Sequence, residues 1–172
     1  MPTTDHTTLL NMAAAARAFC VVRGFNTSFC FFADMRLPSG AMRFYVYDFQ
    51  QQAVLNAGLV AHGRCNQDWL TGRKFANTIG GGCTSLGRYK IGHAYKGRFG
   101  LAYKLYGLDS SNSNAYNRFV VLHAHSCVPA QAVDPSPICQ SDGCPTLAPS
   151  FLKTVAAKID SSRQPVLLWI FE

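Results

Sequence analysis

A histidine and a cysteine stand at opposite ends of residues 119–145, which read FVVLHAHSCVPAQAVDPSPICQSDGCP. The first residues are β-branched or aromatic, so they favour a strand with His123 at its end, and a loop then leads to Cys144. A cysteine attacks as its thiolate, and a neighbouring imidazole can accept the thiol proton. The pair indicates a nucleophile and a general base, while a structural cysteine and a structural histidine are the alternative interpretation.

Gly143 immediately precedes Cys144 and allows the backbone to turn tightly. In such a turn the amides of Gly143 and Cys144 can face one point and form an oxyanion hole. Pro145 follows and adds no donor, because it has no amide hydrogen. The segment therefore combines the residue types that acyl transfer through a cysteine requires.

Metal and phosphate sites are less well supported. A zinc site would have to use His123, His125, Cys139 and Cys144, whose spacing matches neither CxxC nor HxxxH. The run Gly80–Cys83 lacks the Gly-Lys-Ser or Gly-Lys-Thr continuation of a phosphate-binding loop. We expect no metal and no organic cofactor.

The string VVLHAHSCVP…ICQSDGCP resembles the signature of YkuD-type L,D-transpeptidase catalytic domains, in which a histidine after a strand precedes a Ser-x-Gly-Cys element. It is most similar to the murein L,D-transpeptidase branch, where proline follows the cysteine. The likeness runs from about Ala18 to the C-terminus. Further matching pieces are SGAMRFYVYDF at 39–49, GLVAHG at 58–63, TSLGRYKIG at 84–92, and Arg118.

The resemblance implies a cysteine acyltransferase acting on peptidoglycan stem peptides. Cys144 would attack the carbonyl before the terminal D-alanine, which releases D-alanine and leaves the acyl group on Cys144 as a thioester. An amine of a second stem peptide would then take the acyl group. His123 would act as base and then as acid, with the Gly143 and Cys144 amides as the oxyanion hole. The alternatives are an L,D-carboxypeptidase or other cysteine hydrolase of muropeptides, and a non-catalytic wall-binding module in which Cys144 is bridged.

The resemblance also implies supporting residues. Ser141 would shape the turn or bond near the histidine, and His62, in the AHG match, would belong to the active-site wall. Ser85 and Tyr89 lie in the segment that lines the cleft in the family, although this chain lacks the proline usual there. Arg118 would either pair with a substrate carboxylate or cap its loop.

Two positions depart from the family pattern. Many of these transpeptidases have histidine or arginine where this chain has Asp142, and an arginine where it has Thr146. A carboxylate pointing at Cys144 would oppose thiolate formation, so we predict that Asp142 faces solvent or a cation. The missing arginine leaves the choice between an amine and water as acceptor open.

The chain length and the net charge limit the number of domains and the kinds of partner to be expected. The 172 residues fit a single domain, 1–172. The formal net charge of +7 favours an anionic partner. Lys and Arg form no run of five and no Rossmann or P-loop pattern is present, so we expect no nucleic-acid partner. We expect a monomer that binds peptidoglycan stem peptides.

No signal peptide and no transmembrane segment are visible in the sequence. The apolar stretch Thr7–Cys20 is interrupted by Asn11 and Arg17, is too short to span a bilayer and lacks a basic leader. Together with the resemblance, this implies an exported periplasmic or cell-envelope protein whose export signal has been removed.

Seven cysteines are many for a reduced compartment, and the odd count fits one free thiol, Cys144, with up to three disulfides. The pairing cannot be deduced from sequence. Two bridges are attractive because they would close the loop that carries the site and the loop before it: Cys127–Cys139 and Cys65–Cys83. Cys20 and Cys30 would form the third bridge or be small buried hydrophobes.

The elements that must position these residues begin with a helical extension at residues 1–24. Asp5 can cap its first turn and Gly24 can end it. The side chains expected to face the domain are Leu9, Leu10, Ala13, Ala14 and Phe19.

The rest of the chain has mainly strand patterns. We predict a hairpin of residues 29–35 and 43–49, strands at 53–61, 86–91 and 98–106, a helix at 148–160, and a strand at 165–171. In the 98–106 strand, alternation predicts that Phe99, Leu101, Tyr103 and Leu105 share one face. The expected fold is a β-rich α+β domain, with a mixed sheet curled into a sandwich and helices near both ends of the chain.

Overall fold

The computed structural model describes residues 1–172. Two helices, α1 (His6–Arg23) and α2 (Pro149–Ser161), accompany nine strands. The strands are β1 (Phe29–Asp34), β2 (Phe44–Asp48), β3 (Ala53–Gly58), β4 (Val60–Ala61), β5 (Gly87–Gly97), β6 (Gly100–Gly107), β7 (Val121–Ala124), β8 (Thr146–Leu147) and β9 (Val166–Phe171).

The strands form one mixed sheet in the order β3-β2-β1-β9-β5-β6-β7-β8-β4. β1 pairs with β9 and β7 with β8 in parallel, and the other neighbours are antiparallel. β3 and β4 follow each other in the chain but lie at opposite edges, so the sheet curls without closing into a barrel. The predicted β-rich α+β fold is confirmed.

The prediction of one strand over residues 53–61 is wrong, because the chain leaves one edge of the sheet after Gly58 and joins the other edge at Val60. The ring of Phe151 packs directly on the backbone of Gly58, where a Cβ would lie 2.2 Å from Phe151 Cδ1. This contact brings α2 against the point where the chain crosses between edges.

Helix α1 has the predicted caps. The Asp5 side chain accepts a hydrogen bond from the amide of Thr8 at 2.9 Å, and Gly24 adopts a left-handed conformation with φ of 72°. The buried side chains are Leu9, Ala13, Ala16 and Cys20. Ala14, predicted to face the domain, is exposed because the buried residues recur every three or four positions along the helix.

The two helices cover opposite faces of the sheet. Phe31 belongs to the larger apolar core, to which α2 contributes Leu152 and Val155. Its neighbour Phe32 points the other way, into a second cluster that contains the buried residues of α1. No helix is long and apolar enough to cross a membrane.

Two disulfides join Cys65 to Cys83 and Cys127 to Cys139, which confirms both predicted pairings. Cys20 and Cys30 are free and buried, so they act as small apolar side chains in the α1 cluster. Cys144 is also free and is partly exposed.

Candidate active site

Strand β7 holds His123 between two partners. His123 lies opposite Ala102 of β6 and opposite Thr146 of β8, and it is 7% exposed. The predicted strand start at Phe119 is wrong by two residues, since β7 begins at Val121. Phe119 has a left-handed φ of 58° and a side chain that is 78% exposed, so the chain turns there before it enters the sheet.

The loop that carries Cys144 is fixed by hydrogen bonds around Ser141. The Ser141 amide donates to the carbonyl of His62 at 2.9 Å, and the Arg64 amide donates to the carbonyl of Ser141 at 2.8 Å. The Ser141 hydroxyl donates to the carbonyl of Cys144 at 2.7 Å and accepts from the amide of Gly143 at 3.1 Å. Ser141 therefore connects the two residues that follow it in the turn, Gly143 and Cys144.

Thr84 and Gly63 lie against this turn and support it at Gly143. Thr84 Oγ1 donates to the carbonyl of Gly143 at 3.1 Å and accepts from the amide of Gly63 at 2.8 Å. A Cβ at Gly63 would lie 2.8 Å from Gly143 Cα and 2.3 Å from the carbonyl oxygen of Gly82. The backbones at Gly63 and Gly143 can approach this closely only because Gly63 has no side chain.

The Cys144 sulfur lies at the start of β7. The amide of Val121 donates to Sγ at 3.4 Å, and the thiol donates to the carbonyl of Phe119 at 3.7 Å. Burial raises the pKa of the Cys144 thiol above its ordinary value, and the charge of Asp142 adds to this, while the Val121 amide and Arg118 oppose it. The thiol is therefore the resting form at neutral pH.

The hydrogen bonds of His123 fix its tautomer. Nδ1 lies 3.0 Å from the carbonyl oxygen of Ala124, which can only accept, so Nδ1 carries hydrogen. In the neutral ring Nε2 is thus the basic nitrogen. Burial lowers the pKa of His123, His125 lowers it further, and the bond to Ala124 opposes the shift. His123 is therefore neutral at pH 7 and can accept a proton at Nε2.

Thr146 connects His123 to the turn. Its Oγ1 lies 3.2 Å from His123 Nε2 and 3.1 Å from the carbonyl oxygen of Cys144. A neutral His123 accepts the Thr146 hydroxyl hydrogen at Nε2. A protonated His123 donates to Oγ1, which leaves the hydroxyl hydrogen for the Cys144 carbonyl.

Cys144 and His123 open onto the same cleft, which has a volume of about 440 Å³. Ser141, Asp142 and Thr146 also line it. The rest of the lining includes charged, aromatic and disulfide-bonded side chains, namely Arg64, Asp68, Trp69, Phe99, His125, Cys127 and Cys139. The cleft can therefore offer a nucleophile, a base and surrounding apolar surface to a bound peptide.

Phe99 forms one wall of the cleft rather than part of the core. It stacks on the ring of His123 with centroids 5.2 Å apart, and it contacts His125 edge-on at 5.1 Å. The prediction that Phe99 shares a face with Tyr103 and Leu105 is wrong, because Phe99 lies in the turn between β5 and β6 and is 50% exposed. Its position between Arg98 and Gly100 was the available sign of a turn.

Asp142 has the environment that was predicted. Its carboxylate accepts from Arg64 Nε at 2.8 Å, and its side chain is 79% exposed. The prediction that it faces solvent or a cation is confirmed. Arg64 itself was not identified from the sequence, and only its nearness to the AHG match at residues 61–63 could have indicated it.

Arg118 caps its surrounding loop. Its guanidinium donates to the carbonyl oxygens of Ala76 and Cys83 and to Ser85 Oγ, which supports the capping alternative. Ser85 Oγ in turn donates to Ala76, and the Tyr89 hydroxyl donates to the Ser85 carbonyl at 2.6 Å. None of the three predicted residues lines the cleft, and all three hold the segment beneath Gly143.

The side chain of His62 points away from the cleft. Nδ1 accepts from Nη2 of the buried Arg43 at 2.9 Å, and Nε2 is buried without a partner. Burial, together with the charge of Arg43, lowers the pKa of His62 to about 4. His62 therefore reaches the candidate site only through its carbonyl, which receives the Ser141 amide.

A family model described as an L,D-transpeptidase catalytic domain matches residues 6–169. The chain therefore belongs to the L,D-transpeptidase catalytic domain family, which confirms the resemblance seen in the sequence. Among curated proteins, none matches the chain.

Solved structures are similar to this chain at low sequence identity. The avibactam carbamoyl enzyme of Ldtfm has a TM-score of 0.50 and 12% identity, with 84% of this chain and 49% of that chain covered. The helical cell shape determining protein Pgp2 from Campylobacter jejuni has a TM-score of 0.49 and 14% identity, covering 84% and 48%. An L,D-transpeptidase from Mycobacterium smegmatis has a TM-score of 0.47 and 14% identity, covering 84% and 59%. The chain spans about half the length of the first two.

Proposed function

We propose that the chain is an L,D-transpeptidase that cross-links peptidoglycan stem peptides through a thioester on Cys144. The observation that carries this is a free sulfur at the mouth of a cleft shared with an imidazole whose basic nitrogen is fixed as Nε2, in a member of this family. We propose the cell envelope as its location, because the substrate lies there and the chain has two disulfides.

In the first half-reaction the Cys144 thiol proton passes to His123 Nε2 as Sγ attacks the carbonyl between the diamino-acid residue and the terminal D-alanine. The Cys144 amide donates to no protein group and is free to bind the oxyanion. The Gly143 amide, now bonded to Ser141, is the second donor. The carbon–nitrogen bond then breaks, and the imidazolium proton goes to the amine of D-alanine.

In the second half-reaction an amine of another stem peptide attacks the thioester and gives its proton to His123. The new amide bond forms, the carbon–sulfur bond breaks, and the thiol is regenerated. Water in place of the amine would give hydrolysis through the same acyl-enzyme. The wall-binding alternative required a bridged Cys144, and its sulfur is free.

The test combines intact mass and product analysis. A carbapenem should form a covalent adduct with the wild type and with Cys20→Ala, a second free cysteine that lies outside the cleft, but not with Cys144→Ala. Muropeptides bearing tetrapeptides should give cross-linked dimers, whereas tripeptides without dimers would identify a hydrolase. If no adduct forms at Cys144 and neither product appears, the proposed function is wrong.

A further inference from the structure

One face of β5 and β6 carries aromatic rings and lysine ammonium groups in continuous contact. The rings of Tyr106 and Tyr116 stack with centroids 5.1 Å apart and planes inclined by 11°. Nζ of Lys90 lies 4.9 Å from the Tyr106 centroid. Nζ of Lys104 lies 4.4 Å from the Tyr95 centroid and 5.8 Å from the Tyr116 centroid. We call these five residues the aromatic platform.

The platform is on the face of the sheet opposite to α2. Tyr103 and Leu105 of β6 point into the core that α2 shares. Lys104 and Tyr106 alternate with them and therefore point to the other face. Gly92 leaves room for the ring of Tyr106, since a Cβ there would lie 2.5 Å from Tyr106 Cε2.

No helix covers this part of the sheet. α1 lies on the same face farther along, and its Phe19 ring stacks under the guanidinium of Arg88 at 4.6 Å. Beyond Arg88 the side chains of Lys90, Tyr95, Lys104 and Tyr106 are partly exposed, and Tyr116 is 50% exposed. An uncovered sheet face with stacked aromatic rings is typical of a binding surface.

The open face continues into the candidate active site. Lys104 lies opposite Val121, whose amide donates to Cys144 Sγ at 3.4 Å. Ala102, on the same strand and face as Lys104, lies opposite His123. If a peptide branch of a larger polymer occupied the cleft beside β7, the rest of the polymer would therefore lie against the platform on the neighbouring strand β6.

The charge of this region selects an anionic partner. Residues 87–124 contain six Lys or Arg residues and a single acidic residue, Asp109, which pairs with Arg88 and leaves the other five cations without a carboxylate in this range. The ammonium groups of Lys90 and Lys104 are half-buried against rings, which keeps them oriented.

We propose that the aromatic platform binds the glycan strand of peptidoglycan, with sugar rings stacked on Tyr116 and peptide carboxylates paired with Lys104 and Lys90. The assignment rests on the proposed function, because that function places a stem peptide, and so its glycan strand, at this edge of the cleft. Sugars offer C–H faces that pack on aromatic rings, and the carboxylates of the stem peptides match the lysines.

The test is co-sedimentation with purified sacculi, using the full chain with Cys144→Ala so that no turnover occurs. Tyr116→Ala and Lys104→Gln should each weaken binding about fivefold to tenfold. Tyr116→Phe, which keeps the ring, and Lys153→Gln, an exposed lysine of α2, should bind like the parent. Binding should weaken as salt rises, and less steeply for Lys104→Gln. Thermal unfolding checks that each variant is folded.

The proposal is overturned if the parent does not sediment with sacculi, or if Tyr116→Ala and Lys104→Gln bind as Lys153→Gln does. It is also overturned if a single-stranded oligonucleotide displaces the protein better than soluble glycan fragments do, since that would indicate a nucleic-acid partner. Wild-type turnover of tetrapeptide muropeptides is measured separately. If the wild type turns over the muropeptides but Tyr116→Ala and Lys104→Gln bind sacculi like the parent, only the platform proposal is refuted. If the wild type does not turn them over but those two substitutions weaken binding, only the proposed function is refuted.

Discussion

Thr146 Oγ1 lies 3.2 Å from His123 Nε2 and 3.1 Å from the carbonyl oxygen of Cys144, so one hydroxyl links the proposed base to the residue that carries the proposed nucleophile. The hydroxyl can donate to a neutral His123 and accept from a protonated one. It can therefore hold the ring in place in both protonation states of the reaction.

Replacing Thr146 with valine should remove this link while keeping the shape of the buried side chain. We expect kcat to fall about tenfold, because the protonated His123 loses a hydrogen-bond acceptor. The bond to the protonated ring is charge-assisted and therefore the stronger of the two, so its loss should lower the pKa of His123 further and move the acidic limb of the kcat profile to lower pH. The measurement is a pH–rate profile together with an NMR titration of His123. Thr146→Ser should restore both, and an unshifted acidic limb in Thr146→Val would contradict this role.

Asp142→Asn should make the Cys144 thiol easier to ionise. The Asp142 charge contributes to the raised pKa of Cys144, so its removal should lower that pKa. The rate of alkylation by iodoacetamide rises as pH approaches the thiol pKa, and the curve for Asp142→Asn should lie at lower pH than that of the wild type. Glu172→Gln, an exposed carboxylate at the chain end, is the control. Superimposed curves for wild type and Asp142→Asn would refute the effect.

The stability of the protein should fall between pH 6.5 and pH 4 because of His62. Its pKa is lowered from 6.5 to about 4 by burial, so in this range the unfolded chain binds a proton that the folded protein excludes. The contribution is fully present above pH 6.5 and is lost as pH falls, by about 3 kcal/mol over the range.

Urea unfolding at a series of pH values measures this loss. His62→Asn offers Arg43 an oxygen in place of Nδ1 and should reduce the dependence on pH, leaving the part that comes from His123, whose pKa is also lowered by burial. His6→Gln, at an exposed histidine of α1, should not reduce it. If His62→Asn follows the same curve as the wild type, the loss of stability has another source.

Gly63→Ala should damage the candidate site through the backbone. The added methyl would meet the carbonyl oxygen of Gly82 at 2.3 Å and the Cα of Gly143 at 2.8 Å, and backbone atoms cannot rotate away. We expect a loss of about 3 kcal/mol in the free energy of unfolding and a lower rate of carbapenem acylation. Gly97→Ala, whose nearest neighbour is the Tyr95 side chain at 3.3 Å, is the matched control. Equal free energies of unfolding for Gly63→Ala and Gly97→Ala would show that the backbone of the turn can shift to make room for the methyl group.

Local signals in the sequence were enough to predict several secondary-structure elements. The caps Asp5 and Gly24 define α1, and the turn residues between β1 and β2 define that hairpin. Cys144, His123 and Ser141 were found from one segment, because they lie within a single stretch of the chain and do line one cleft. Both disulfides join cysteines that bracket a single loop, which made these pairings attractive although sequence could not establish them.

Features that depend on distant parts of the chain could not be predicted. Phe151 of α2 packs on Gly58 where the chain changes edge, and Phe99 stacks on His123 of another strand. Thr146 gains its significance only because β8 pairs in parallel with β7. Alternation placed Phe99 on one face with Tyr103 and Leu105, since a sequence pattern does not show where a strand ends.

The parallel pairing of β1 with β9 has a consequence for how the molecule is made. Two adjacent inner strands of the sheet, β1 and β9, come from near the two ends of the chain, so the sheet cannot assemble until residues 166–171 have been synthesised. Contacts between such distant residues slow folding, because a long segment must be closed before they form. A polypeptide cut before Val166 would lack the strand that joins β1 to β5, and it would remain a target for chaperones and proteases.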